Sequence, residues 1–131
     1  MVQNETIRVF ISDDNETART MLKQALERMP YNIEVVGESS TGQGAIIMLD
    51  EDKPHLILLK LNIPGDLPSD EVMATIRGMD PQCYIVLCSY PQDRSILEAS
   101  IRSGTADNFV EKPIKKAALN RVIEKYVQGK E

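Results

Sequence analysis

Four places in this 131-residue chain carry side chains that could do chemistry, and each closes an apolar run. Asp13 and Asp14 follow Ile7, Val9, Phe10 and Ile11. Lys60 follows Leu56-Ile57-Leu58-Leu59 and precedes Leu61-Asn62-Ile63-Pro64-Gly65. Cys88 and Ser89 follow Tyr84 to Leu87, and Lys112 with Pro113 follows Phe109 and Val110. Paired carboxylates beside a lysine suit a site that holds a divalent cation against a phosphoryl group. A third carboxylate would complete such a site, and Lys60 offers an amine in its place.

The elements that must position these residues alternate along the whole chain. Ala18, Met21, Leu22, Ala25, Leu26 and Met29 recur at helical spacing, with Asn15 or Asp14 to cap the start and Pro30 to stop the helix. Ile33 to Val36 reads as a second strand, and a helix from about Thr41 carries Ala45, Met48 and Leu49. Leu56 to Leu59 is apolar throughout, as a central parallel strand covered on both faces should be. Val72, Met73, Ile76 and Met79 mark a third helix, entered through Asp66-Leu67-Pro68-Ser69. A fourth strand from Tyr84 to Cys88 leads to a short helix with Ile96, Leu97 and Ile101. Phe109 and Val110 form a brief fifth strand before the stripe Leu119, Val122, Ile123 and Tyr126. The methionines fall on these stripes and read as core. Five βα units in succession predict a doubly wound parallel sheet, whose strand ends converge on one crevice.

Composition bounds the function classes. The length fits a single domain over 1–131, with 42% hydrophobic and 27% charged residues. A formal net charge of −5 without a basic stripe argues against direct nucleic-acid binding. The amino terminus lacks a signal-peptide layout, and no apolar run spans a membrane, so a cytoplasmic location is expected. Cys83 and Cys88 share one predicted strand, about 16 Å apart on opposite faces, too far for a disulfide and poorly arranged for zinc. The only histidine, His55, lies at the far end of the third strand and reads as an exposed turn residue.

In this order and at these intervals, the chain resembles a receiver (CheY-like) domain of the two-component response-regulator family. The matching pieces are Asp13, Asp14 and Arg19; Gly42 and Ala45; Pro54, Lys60, Pro64 and Gly65; and Ala106-Asp107-Asn108-Phe109 with Lys112-Pro113. The resemblance implies a flavodoxin-like α/β fold with strand order 2-1-3-4-5 and a cis bond before Pro113. It also implies that the residue at the Lys60 position is an aspartate phosphorylated by a histidine kinase. Mg²⁺ would be held by the acidic pair, that aspartate and the Asn62 carbonyl. The Lys112 position would contact the phosphoryl group, a hydroxyl at the end of strand four would turn toward it, and the Phe109 position would change rotamer.

The departures from that pattern cluster on the chemistry. Lys60 removes the acceptor, and Cys88 stands where the hydroxyl belongs, with Ser89 next to it. Asp13, Asp14, Lys60 and Lys112 sum to zero formal charge, so Mg²⁺ binding is expected to be weak or absent and no metal is expected in the site. Lys60 is expected to pair with Asp13 or Asp14, and a lysine so paired stays protonated and makes a poor nucleophile. The reading is a pseudo-receiver, not an enzyme, that acts by protein–protein contact. Its partner would be a histidine kinase or another regulator, or a second copy docked through helix four, strand five and helix five, from Asp93 through Tyr126. One alternative is phosphorylation at Asp14, Ser12 or Ser89; another is the amino-terminal receiver of a longer transcriptional regulator. A small enzyme or flavin-binding module is disfavoured, because Asp13-Asp14-Asn15-Glu16 after strand one would repel an anion.

Overall fold

Leu56, Ile57, Leu58 and Leu59 are each at most 1% exposed, so the third strand is covered on both faces, and the rest of the architecture follows from that. The structure is a computed structural model and describes residues 5–130, with the side chain of Lys130 left aside. Its strands are β1 (Ile7–Ser12), β2 (Ile33–Ser39), β3 (Leu56–Lys60), β4 (Tyr84–Ser89) and β5 (Asn108–Glu111). The α-helices are α1 (Glu16–Glu27), α2 (Gly42–Asp52), α3 (Ser69–Met79), α4 (Arg94–Arg102) and α5 (Lys116–Lys130), with a 3₁₀ turn at Pro91–Asp93. All strand pairs are parallel and the sheet order is β2-β1-β3-β4-β5, the flavodoxin-like arrangement that the sequence predicts.

Two apolar layers sandwich the sheet. Val9, Ile11, Leu58, Val86 and Val110 pack on the side of α1 and α5 against Leu22, Leu26, Leu119 and Ile123. Phe10, Ile57, Leu59, Ile85 and Leu87 pack on the other side against Ala45, Val72, Ile76 and Leu97. The period-2 alternation of β1, β3, β4 and β5 thus divides their residues between two cores. β2 departs from regular pairing, since Val9 is opposite Val35 but Phe10 is opposite Gly37, which leaves Val36 as the extra residue of a bulge. A Cβ at Gly37 would come within 2.8 Å of the Phe10 ring, so only glycine fits there without displacing the core.

Several expectations need correcting in detail. Not every methionine is core: Met29 and Met73 are buried, but Met21 is 63% exposed and Met79 is 43% exposed. Leu22 and Leu26 centre the buried stripe of α1, and Met21, one helical step of about 100° away, falls on its flank. Ile96 is likewise exposed, and Leu97 alone of the three apolar markers of α4 is fully covered. Pro30 does end α1, which closes at Glu27 with Arg28 as its C-cap, because the residue ahead of a proline disfavours helix. Cys83 lies just outside β4, its N–H donating to the Asp80 carbonyl at 3.1 Å in the preceding turn. Among the described residues no helix is long and apolar enough to cross a membrane.

Candidate functional site

Strand parity explains why the charged residues meet. Asp13 continues the alternation of Val9 and Ile11, Lys60 that of Leu56 and Leu58, Cys88 that of Val86, and Lys112 that of Val110. All four therefore project on the α1–α5 side where their strands end. β1, β3, β4 and β5 are neighbours in the sheet, and Lys60 pairs in register with Cys88. The loops fix the remaining geometry. Asn15 caps α1 by accepting from the Ala18 N–H at 2.9 Å, and Asp13 Oδ1 accepts from the Asn15 N–H at 2.9 Å. Arg19 donates to the Asp13 carbonyl at 2.6 Å and to Glu38 at 2.8 Å, which ties the start of α1 to the β1 and β2 ends.

Two ion pairs occupy the crevice. Lys60 Nζ donates to Asp14 Oδ1 at 2.6 Å, and Lys112 Nζ donates to Asp13 Oδ2 at 2.6 Å. Their environments differ. The Lys112 and Asp13 side chains are 10% and 2% exposed, whereas those of Lys60 and Asp14 are 17% and 36% exposed. The hydrogen bond from Lys60 holds the Asp14 carboxyl below its usual range, against a smaller opposing effect of burial. The same bond raises the Lys60 ammonium above its ordinary value, so the amine is held charged.

The other residues singled out in the sequence fall around this pair. Cys88, in register with Lys60 on the neighbouring strand, is buried, and burial pushes its thiol up to about 12. Cys83, in the opposite apolar layer, is also pushed up to about 12, mainly by burial. Both thiols are free, and neither is expected to react with a disulfide reagent faster than the protein unfolds; time-resolved labelling with and without urea checks this. The Ser89 hydroxyl donates to the Asp93 carboxylate and is thereby committed to the Pro91–Asp93 turn. Phe109 is half-buried on β5, with the Arg94 guanidinium 5.9 Å from its ring centroid. Asn62 takes a left-handed backbone (φ 57°), and its N–H donates to the Ser69 hydroxyl at 2.9 Å. The Lys112–Pro113 bond is cis.

Three further residues shape the site: Tyr90, Asp93 and Asp66. Tyr90 places its ring 5.7 Å from Lys112 Nζ, at the edge of the crevice. Asp93 receives the Ser89 hydroxyl. Asp66 accepts from the Gly42 and Gln43 N–H groups at 2.6 and 3.1 Å, anchoring the Pro64-Gly65 turn to the start of α2. The contacts of Tyr90 and Asp66 join segments well separated in sequence, so no local pattern announces them. Ser89 and Asp93 are only four residues apart, but their contact requires the chain to turn at Pro91.

Comparison with known proteins decides the family. Residues 9–124 match the family model of the response regulator receiver domain. The chain belongs to that family. The receiver is 29% identical over 119 residues to the chemotaxis protein CheY of Listeria monocytogenes, covering 91% of this chain and 97% of that protein. It is also 29% identical over 129 residues to the nitrate/nitrite response regulator protein NarL of Escherichia coli, covering 98% of this chain and 58% of that one. A two-component response regulator of the LuxR family from Aurantimonas superposes with a TM-score of 0.83 at 25% identity, covering 95% of this chain and 87% of that one. The receiver is therefore a two-component signalling module.

Proposed function

We propose that this receiver signals without aspartyl phosphate, as an interaction module whose crevice is held in one charge state by its own lysines. The observation that carries the reading is the pair of contacts at 2.6 Å, Lys60 to Asp14 and Lys112 to Asp13. An ammonium bonded to a carboxylate is neither an acyl-phosphate acceptor nor a free nucleophile. The donor set does not fit Mg²⁺ either, because both carboxylates already neutralise a lysine and the four groups sum to zero formal charge. Ser89, an alternative acceptor, has its hydroxyl engaged by a carboxylate, which would repel an incoming phosphoryl group. Output would then come from binding, with α4, β5 and α5 as the expected contact face, to a kinase, another regulator or a second copy.

Acetyl phosphate with Mg²⁺, read by intact mass, tests this directly. Wild type should gain nothing, while Lys60→Asp should gain one phosphoryl group. A gain in the wild type would move the acceptor to Asp14, Ser12 or Ser89 and refute the reading. A second arrangement, in which the receiver is the amino-terminal part of a longer transcriptional regulator, is favoured by the match to NarL, of which this chain covers 58%. It changes what the interaction controls and leaves the chemistry of the crevice as described.

A further inference from the structure

The crevice opens sideways into a groove of about 590 Å³ between α1 and the segment joining β5 to α5. That volume lies within the range of small-molecule sites. Met21, Leu22, Ala25 and Ile114 give it an apolar floor and wall, and Met21 is the exposed side chain that the core leaves out. Its charged lining is all of one sign: Lys60, Lys112, Lys116 and Arg28 border it, and no acidic side chain does so among the described residues. Asp13 and Asp14, which do not line the groove, offset two of those cations, which leaves an excess of two positive charges on a chain with formal net charge −5. Lys60, Lys112 and Tyr90 lie where the groove meets the strand ends, and Arg28 caps the other end of α1. From Asn15 to Arg28 the helix gives it a length of about 20 Å.

We infer that this groove binds a small amphipathic anion, an apolar body ending in a carboxylate or sulfonate. The body lies along Met21 and Ile114, and the anionic head sits at the mouth among Lys60, Lys112 and Lys116. Each ammonium there has three donors, and the Lys60 and Lys112 ammoniums each spend one on an aspartate, so both retain hydrogen-bonding capacity for a second anion. Charge complementarity selects the head, and the apolar floor selects the body. The inference rests on the reading of Lys60 as a standing cation.

Anilinonaphthalene sulfonate is the probe, titrated into the folded protein without phosphate or magnesium, so that failure here is separable from the acetyl phosphate result. The expected result is saturable binding to one site, displaced by decanoate and not by decyltrimethylammonium. Met21→Glu and Lys116→Glu, both at exposed positions, should each weaken it roughly tenfold or more with near-ultraviolet circular dichroism unchanged. No binding, or binding indifferent to both substitutions, would overturn the inference. Equal displacement by the cationic amphiphile would overturn the role given to the lysines. A probe signal that falls as protein concentration rises, with doubled mass in solution, would give the groove to a second copy.

Discussion

Asp13→Ala should cost the fold about 3–5 kcal/mol, while Asp14→Ala should cost about 1 kcal/mol or less, although each removes one carboxylate from a 2.6 Å ion pair. The difference lies in what is left behind. Without Asp13, Lys112 is a nearly buried ammonium that has lost its hydrogen-bonded counter-charge, and the Asn15 N–H loses its acceptor just where α1 begins. Without Asp14, Lys60 can turn its ammonium toward water at the mouth of the crevice. Urea denaturation of the two variants at neutral pH measures both values, and equal losses would refute the distinction between a buried pair and an open one. Lys112→Met in the Asp13→Ala background should recover most of the loss, because the stranded charge is what is costly.

The open pair has its own pH signature. The folded Asp14 carboxyl is lowered from 3.8, so its contribution is fully present above that value and is lost as pH falls through the folded one. Lys60 is raised from 10.5, so its contribution is fully present below 10.5 and is lost only as pH rises through the higher folded value. The Lys60–Asp14 pair is thus expected to keep its charges from about pH 4 to above pH 10, with no transition near neutrality. Physiological pH would not switch it.

Much of this arrangement can be read from the chain because it depends on strand parity and strand ends. An apolar run closed by a charge predicts both the sheet position and the face of Asp13, Lys60 and Lys112. The choice of partners cannot be read that way. Lys60 could have met either aspartate, and the outcome depends on Asp13 being one residue deeper along β1, where the Asn15 N–H and Lys112 already claim its two oxygens. Tyr90 escapes the sequence for a related reason: it belongs to no periodic stripe, and only the Pro91–Asp93 turn brings its ring to Lys112. Met21 misleads for the opposite reason, since it keeps helical spacing with the core while standing on the flank that the groove exposes.

Lys60→Asp should raise Mg²⁺ affinity by about a thousandfold or more over wild type. The substitution changes the crevice by two formal charges and releases Asp14 from its pair. Two unit charges about 4 Å apart interact by about 4 kcal/mol at an effective dielectric of about 20, which alone is about a thousandfold in affinity at about 1.4 kcal/mol per tenfold, so a two-unit change facing a divalent ion makes that figure a lower bound. Lys60→Met removes the cation without adding a carboxylate, so its affinity should fall between the two. Without metal, Lys60→Asp brings three carboxylates together around a single lysine and should unfold at lower temperature than wild type; Mg²⁺ at about a hundred times its dissociation constant should return about 2.7 kcal/mol. Calorimetric titration and thermal denaturation with and without Mg²⁺ read the two effects separately. If wild type bound Mg²⁺ as tightly as Lys60→Asp, the lysine would have to leave Asp14 without loss, and the account of the crevice as a site closed by its own amines would fail. If instead the graded order holds, with wild type weakest, Lys60→Met between and Lys60→Asp tightest, a single side chain at the end of β3 separates this receiver from one that can use metal.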